Sequence, residues 1–184
     1  MSSRAEAAES FEAGLDTIRL APAGTGTLEL IVRRPAVEER EVVDEAELDL
    51  GEGLVGDNWL SRGSRAMADG SANPKAQLTV MNTRLAAFVA GERDRWPLAG
   101  DQLYVDFDLS KENVPAGTRL AVGSAVIEVT DEPHTGCAKF SARFGSDALR
   151  FINSPVGRAL NLRGVNARVV EPGRVRRGDA VSKL

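Results

Sequence analysis

The stretch Asp131–Gly145 (DEPHTGCAKFSARFG) gathers the reactive side chains of this sequence. Its only histidine and only cysteine stand three apart, as His134-Thr135-Gly136-Cys137, with Lys139 and Arg143 following. The thiolate rather than the thiol is the nucleophile and metal ligand, and a free thiol is only about 3% ionised at pH 7. Lys139, Arg143 and a charged His134 are the kind of neighbours that favour the thiolate, and Gly136 would let a ligand or backbone approach the sulfur. The alternative for Cys137 is an inert, buried small side chain. Its flanks argue against that, because Pro133, Gly136 and Lys139 do not describe a packed strand. His134 stays open between a proton donor and a structural residue. One His and one Cys cannot close a zinc site, and no Gly-x-Ser-x-Gly elbow is present for a serine hydrolase. Lys111-Glu112-Asn113, Arg163-Gly164 and Arg176-Arg177 are further anion-binding candidates, each also readable as a solvated turn.

The elements that must position these residues are mostly strands. Alternation and β-branched runs predict strands over 27–33, 41–50, 77–81, 102–107, 119–122, 125–130, 165–170 and 180–182. The dipeptide Gly-Asp recurs at 56–57, 100–101 and 178–179 and reads as a turn each time. Two helices are expected. One is capped by Asn82 or Thr83, carries Leu85, Phe88 and Val89 on one face, and ends at Gly91. The other begins near Ser146 and joins Ala148, Phe151 and Ile152 to Phe144, with a further turn around 156–160. Residues 60–75 form a long aperiodic loop. Residues 1–25 read as an N-terminal tail, weakly helical at first, with a possible first strand, and 26–182 as a single domain. Strands that do not alternate with helices as βαβ units imply a mostly β, antiparallel, barrel-like fold with a few short peripheral helices.

Composition sets the outer bounds. A chain of 184 residues with 42% hydrophobic and 27% charged residues can bury a core and is not disordered. A single cysteine excludes an internal disulfide and any multi-thiolate metal site. No apolar run reaches membrane-spanning length and the N-terminus carries no signal-like apolar stretch, so a cytoplasmic location without membrane association is expected. The net charge of −4 hides a division: residues 1–133 hold 13 Lys+Arg against 24 Asp+Glu, whereas residues 134–178 hold nine basic groups against Asp147 and Glu171. Charge alone favours surface ion pairing between the two regions, with an anionic ligand as the second reading. Nucleic acid is not expected, because the pI is 5.2 and aromatics are 5% of residues.

Taken in order, Gly53-Leu54-Val55-Gly56-Asp57, Gln77-Leu78-Thr79-Val80-Met81-Asn82, Lys111-Glu112-Asn113, and the pair LAVGSAVIEVT leading to Cys137 and Lys139-Phe140 resemble the MOSC family over residues 26–182. That domain lies at the C-terminus of molybdenum cofactor sulfurases and also occurs as stand-alone bacterial proteins. The resemblance implies a β-barrel-like fold and a cysteine that binds molybdenum or carries a persulfide. Some members hold a molybdopterin cofactor and reduce N-hydroxylated compounds. Carried onto this chain, Cys137 is the metal or sulfur ligand and Lys111, Glu112 and Asn113 line the cofactor side. Thr135, Gly136, Lys139, Arg143 and Arg163 surround the thiol to hold an anionic pterin, and His134 stands as a catalytic candidate beside Cys137. Asn58-Trp59 follows the Gly-Asp where the family commonly has His or Arg. The chain has no pyridoxal phosphate domain. The implied partners are a small-molecule substrate or cofactor and a separate electron-donor protein, or a sulfur donor if the chain is instead a persulfide or cofactor carrier.

Overall fold

The computed structural model describes residues 4–184. Seven strands close on themselves: β1 (Thr25–Arg33), β5 (Leu78–Asn82), β6 (Leu103–Asp106), β7 (Arg119–Val122), β8 (Ala125–Val129), β9 (Val165–Glu171) and β11 (Ala180–Lys183), in the order β11-β7-β8-β9-β5-β6-β1 with β1 returning to β11. The expected β barrel with peripheral helices is therefore present, and each of its seven staves coincides with a predicted strand. Strand β1 is long enough to serve two partners on one edge. Thr25–Thr27 pair with β11, and Ile31–Arg33 pair with the short β2 (Glu41–Val43).

Two details differ from the sequence expectation. Strands β5 and β6 pair in parallel, Val80 opposite Leu103. A parallel pair needs a crossover of a dozen or more residues. Helix α3 (Thr83–Ala90) and the 3₁₀ segment Arg93–Ala99 supply it, so one βαβ unit stands in an otherwise antiparallel barrel. The predicted strand over 41–50 is broken at Asp44. Its second part, β3 (Glu45–Asp49), leaves the barrel for a three-stranded sheet with β4 (Gly53–Leu54) and β10 (Gly173–Arg176).

Alternation along the staves makes two cores. Leu78, Val80, Leu103 and Val105 fill the barrel interior with Phe107 and Ile127. The residues between them, Met81 and Tyr104, face outward into a second cluster under the helices with Leu85, Phe140, Phe151 and Ile152. A register shift between Leu28 and Leu30 turns β1, so that Leu28 and Ile31 point inward while Leu30 and Val32 join the outer cluster.

The helical layer is larger than predicted. Residues 1–3 of the expected tail lie outside the described residues. The remainder is mostly helix α1 (Arg4–Arg19), whose Leu15 and Ile18 are buried and whose Phe11 stacks on Phe151 at 4.7 Å. Asn82 caps α3 by accepting from the backbone N–H of Arg84 and Leu85, and its amide donates to the Phe107 carbonyl at 2.8 Å. The long loop opens with α2 (Trp59–Arg62). Three short helices, α4 (Ala138–Phe144), α5 (Ser146–Ile152) and α6 (Pro155–Ala159), follow the Cys137 segment. Helix α4 was not anticipated.

Candidate functional site

Cys137 stands at the end of the connection that leaves β8 and enters α4. That connection is fastened at two points. Asn166 on β9 donates its amide to the Glu132 carbonyl at 3.1 Å, and the Asn153 side chain accepts from Gly136 N–H at 3.0 Å. Gly136 packs against α5: a Cβ there would sit 2.6 Å from the Cδ1 atoms of Leu149 and Ile152, which would have to shift. Phe140, one turn into α4, is buried, whereas Cys137 is exposed.

The thiol borders a cavity of about 210 Å³ between α4, the loop 34–40 that links β1 to β2, and the Ala99-Gly100 turn. Six basic side chains line it: Lys139, Arg143 and Arg163, which the sequence singled out, and Arg34, Arg40 and Arg62, which it did not. Only one acidic side chain, Glu38, shares that lining. Two more carboxylates stand behind the wall, both with no solvent exposure and both from Gly-Asp dipeptides. Asp57 takes Arg34 in a fork, with Nε donating at 2.8 Å and Nη2 at 2.8 Å, and also accepts the backbone N–H of Arg34 and of Trp59 at 2.9 Å. Asp101 accepts from Arg163 Nη1 at 2.6 Å, while Arg163 Nη2 donates to the Ala99 carbonyl at 3.0 Å and the guanidinium lies 5.4 Å over the Phe140 ring.

Cations remain in surplus. Burial, with Arg143 and Arg34 close by, holds Arg40 below its ordinary basicity, and burial next to Arg34 does the same to Arg62. Both stay charged at neutral pH because arginine starts so high. The Nε atoms of Arg40 and Arg163 and the Oδ1 of Asn58, all bordering this cavity, are buried without a hydrogen-bond partner. Buried donors on charged groups ordinarily find acceptors, and those two of Arg40 and Arg163 have none among the described residues.

His134 does not share the cavity with Cys137. It borders separate concavities beyond Arg163, with Thr135, Lys111, Arg158 and Asn161. Its Nδ1 is 3.7 Å from Asp101 Oδ1, too far for a hydrogen bond, and neither atom has a partner. Burial, with Arg163 and Arg34 nearby, drives the imidazole well below its ordinary 6.5, so it stands neutral. Of the charged neighbours expected for the thiol, His134 is therefore not one, whereas Lys139 and Arg143 share its cavity. Below pH 6.5 the unfolded chain takes a proton that the folded chain refuses, which favours unfolding as pH falls. Against a His134→Asn variant, the wild type is expected to lose up to about 1.4 kcal/mol of stability per pH unit below 6.5. Urea denaturation at pH 7.0, 6.0 and 5.0 checks it; parallel pH profiles for the two proteins would contradict the buried neutral imidazole.

The Lys111-Glu112-Asn113 segment also stays away from Cys137. Asn113 locks its own loop, donating to the Asp108 carbonyl at 2.8 Å and accepting from Lys183 Nζ at 2.8 Å. Lys111 borders the His134 side and Glu112 a further cleft beside α6. The basic C-terminal quarter divides as well. Lys139, Arg143 and Arg163 reach the cavity, but Arg168 pairs with Glu128, Arg174 and Arg176 with Glu45, and Arg177 with Asp44. Surface ion pairing thus accounts for a good part of the charge asymmetry.

A closed barrel of this strand order, with an exposed cysteine after its β7–β8 hairpin and a cationic cavity beside it, defines the class of fold. The MOSC domain matches residues 69–182, and the chain belongs to that family. Among solved structures it is similar to the YuaD protein from Bacillus subtilis, at 19% identity and a TM-score of 0.64, with 85% of this chain and 94% of that one covered. It is also similar to YiiM from Escherichia coli (20% identity, TM-score 0.55, 86% and 69% covered) and to YiiM from Geobacillus stearothermophilus (13%, 0.54, 88% and 73%). These likenesses establish the fold. No curated protein matches the chain. No helix among the described residues is long and apolar enough to cross a membrane.

Proposed function

We propose that this protein binds a molybdopterin-type molybdenum cofactor in the cavity beside Cys137 and uses it to reduce N-hydroxylated or N-oxygenated small molecules. One observation carries the reading: an exposed thiol opens onto a cavity lined by six basic side chains and a single carboxylate.

The residues fit such a group. A thiolate is a soft ligand suited to a dithiolene-bound metal. The guanidinium groups that line the cavity are donors for phosphate or pterin oxygens, and charge-assisted hydrogen bonds to such anions are the strong ones. Among the described residues no three His, Cys, Asp or Glu side chains gather into a metal cage, so the metal would arrive carried by its organic ligand. When bound, the cofactor supplies two-electron redox chemistry at the metal. The chain's own part is to hold the anion on Arg34, Arg40, Arg62 and Arg163, to present the Cys137 sulfur, and to keep the arginines oriented through Asp57 and Asp101. With one cysteine these residues build no iron–sulfur cluster, so the electrons would come from a donor outside them.

Exposure of Cys137 also suits a second reading, a carrier that holds a persulfide for delivery to an acceptor. One preparation separates the two. Protein purified from a host that makes the cofactor is expected to contain about one molybdenum per chain, and Cys137→Ala less than about a tenth of that. Equal molybdenum in wild type and Cys137→Ala would remove the ligand role. A +32 Da adduct (roughly one sulfur atom) on Cys137 with no molybdenum would establish the carrier.

A further inference from the structure

We infer that Glu38 is a built-in counter-anion that closes the Cys137 cavity, and that a phosphate-class anion displaces it from Lys139 and Arg143. The inference rests on reading the cavity as an anion site, not on the metal.

The Glu38 carboxylate spans the cavity wall. Oε1 accepts from Lys139 Nζ at 2.8 Å and Oε2 from Arg143 Nη2 at 2.6 Å, across more than 100 residues of sequence. Those two bonds hold the carboxylate below its usual range, so it is ionised. It does for these cations what a ligand oxygen would do. Its backbone is set against the position. Glu39 N–H donates to the Ala36 carbonyl to close a turn, and Glu38 stands third in that turn with φ 65°, where glycine or asparagine is the ordinary choice. Such conformations persist only when the surroundings impose them. Here packing imposes little, because the Glu38 side chain is 57% exposed and neighbouring Val37 is 70% exposed. The ion pairs are what hold it, and exposed ion pairs are weak.

Arg143 does not depend on Glu38 for its placement, whereas Glu38 is the partner that holds Lys139. Arg143 is anchored independently by Nη1 donating to the Leu98 carbonyl at 2.8 Å and is only 18% exposed. With Glu38 in place the cavity measures about 210 Å³, short of the roughly 300–1,000 Å³ typical of sites for drug-sized ligands. Swinging the 36–39 turn outward both enlarges the cavity and exposes two more cations. A dianion outcompetes a single carboxylate there, whereas a neutral compound gains nothing by displacing it. Glu38 thereby selects for charge.

The test uses the full-length chain and inorganic pyrophosphate, titrated calorimetrically at low ionic strength. Glu38→Gln is expected to bind pyrophosphate about tenfold more tightly than wild type. Glu38→Gly, which also suits the backbone, should gain at least as much, and both variants should melt within a degree or two of wild type. An anionic aromatic disulfide should modify Cys137 several-fold faster in either variant, and neutral iodoacetamide should be accelerated distinctly less, through the thiolate fraction alone. Equal pyrophosphate affinities in all three proteins, or no binding by any, would overturn the inference. Molybdenum content of the same preparations keeps the outcomes apart. Stoichiometric metal with unchanged pyrophosphate affinity defeats the Glu38 role alone, and tighter pyrophosphate binding without metal supports Glu38 while defeating the cofactor.

Discussion

Asp57→Ala is expected to lower the thermal midpoint by roughly 6–20 °C. Breaking a buried ion pair from one side costs about 3–5 kcal/mol, and each kcal/mol moves the midpoint of a domain this size by about 2–4 °C. Asp57 has no solvent exposure and Arg34 only 9%, so the orphaned guanidinium keeps one bond, to the Gly100 carbonyl at 3.0 Å, and little access to water. The carboxylate also receives two backbone N–H groups, from Arg34 and Trp59, and those donors are orphaned together. Arg34→Met alone should be nearly as damaging. The double variant should be less destabilised than the sum of the two, the sign of direct coupling. Scanning calorimetry of the four proteins is the measurement. A shift below about 2 °C for Asp57→Ala would show that the pair is not what holds the cavity's floor.

The second large effect is at Arg163. With Arg163→Met, Asp101 keeps its burial and loses its counter-charge, and about 3–5 kcal/mol of stability at pH 7 should go with it. The pH dependence distinguishes this from simple loss of packing. Burial already pushes the Asp101 carboxyl up, against the pull of Arg163. Without the arginine, the folded variant binds a proton that the unfolded chain releases, so its stability falls as pH rises. The variant should therefore recover toward acid pH by up to about 1.4 kcal/mol per unit relative to wild type. Arg163→Met combined with Asp101→Asn should recover at pH 7 as well. Urea midpoints at pH 5 and 7 decide it: a deficit that is the same at both, with no rescue by the second substitution, contradicts a charge origin.

Much of the fold was legible because a barrel stave announces itself by alternation. All seven staves carry it, from Thr27–Arg33 to Ala180–Ser182. Parallel pairing of β5 with β6 was not legible, since it follows from the path of the chain between Asn82 and Leu103 rather than from either strand's residues. The two-residue β4 is too short to show a period, and β10 lies among the arginines 174–177, which read as a basic turn. At the site, Cys137, Lys139, Arg143 and Arg163 stood out in a basic segment. Arg34, Arg40 and Arg62 did not, because an excess of acidic residues in the first two-thirds of the chain masked them. The clue to them lay in the three Gly-Asp pairs. Each glycine does take a positive φ, as a turn demands. But Asp179 merely closes its turn onto Arg176 N–H, whereas Asp57 and Asp101 sink out of solvent and each seizes an arginine. One dipeptide serves two purposes, and only burial tells them apart.

Strand β1 is hydrogen-bonded to both β6 and β11 and continues directly into Arg34, the loop of Glu38, and Arg40. The segment over which the family match extends begins only at residue 69. A fragment trimmed to that match would be a hoop with one slat missing, its flanking edges bare and its positive lining reduced by half. The matched segment is thus not self-sufficient: the strand it lacks leads straight into the loop where the anion would be gripped.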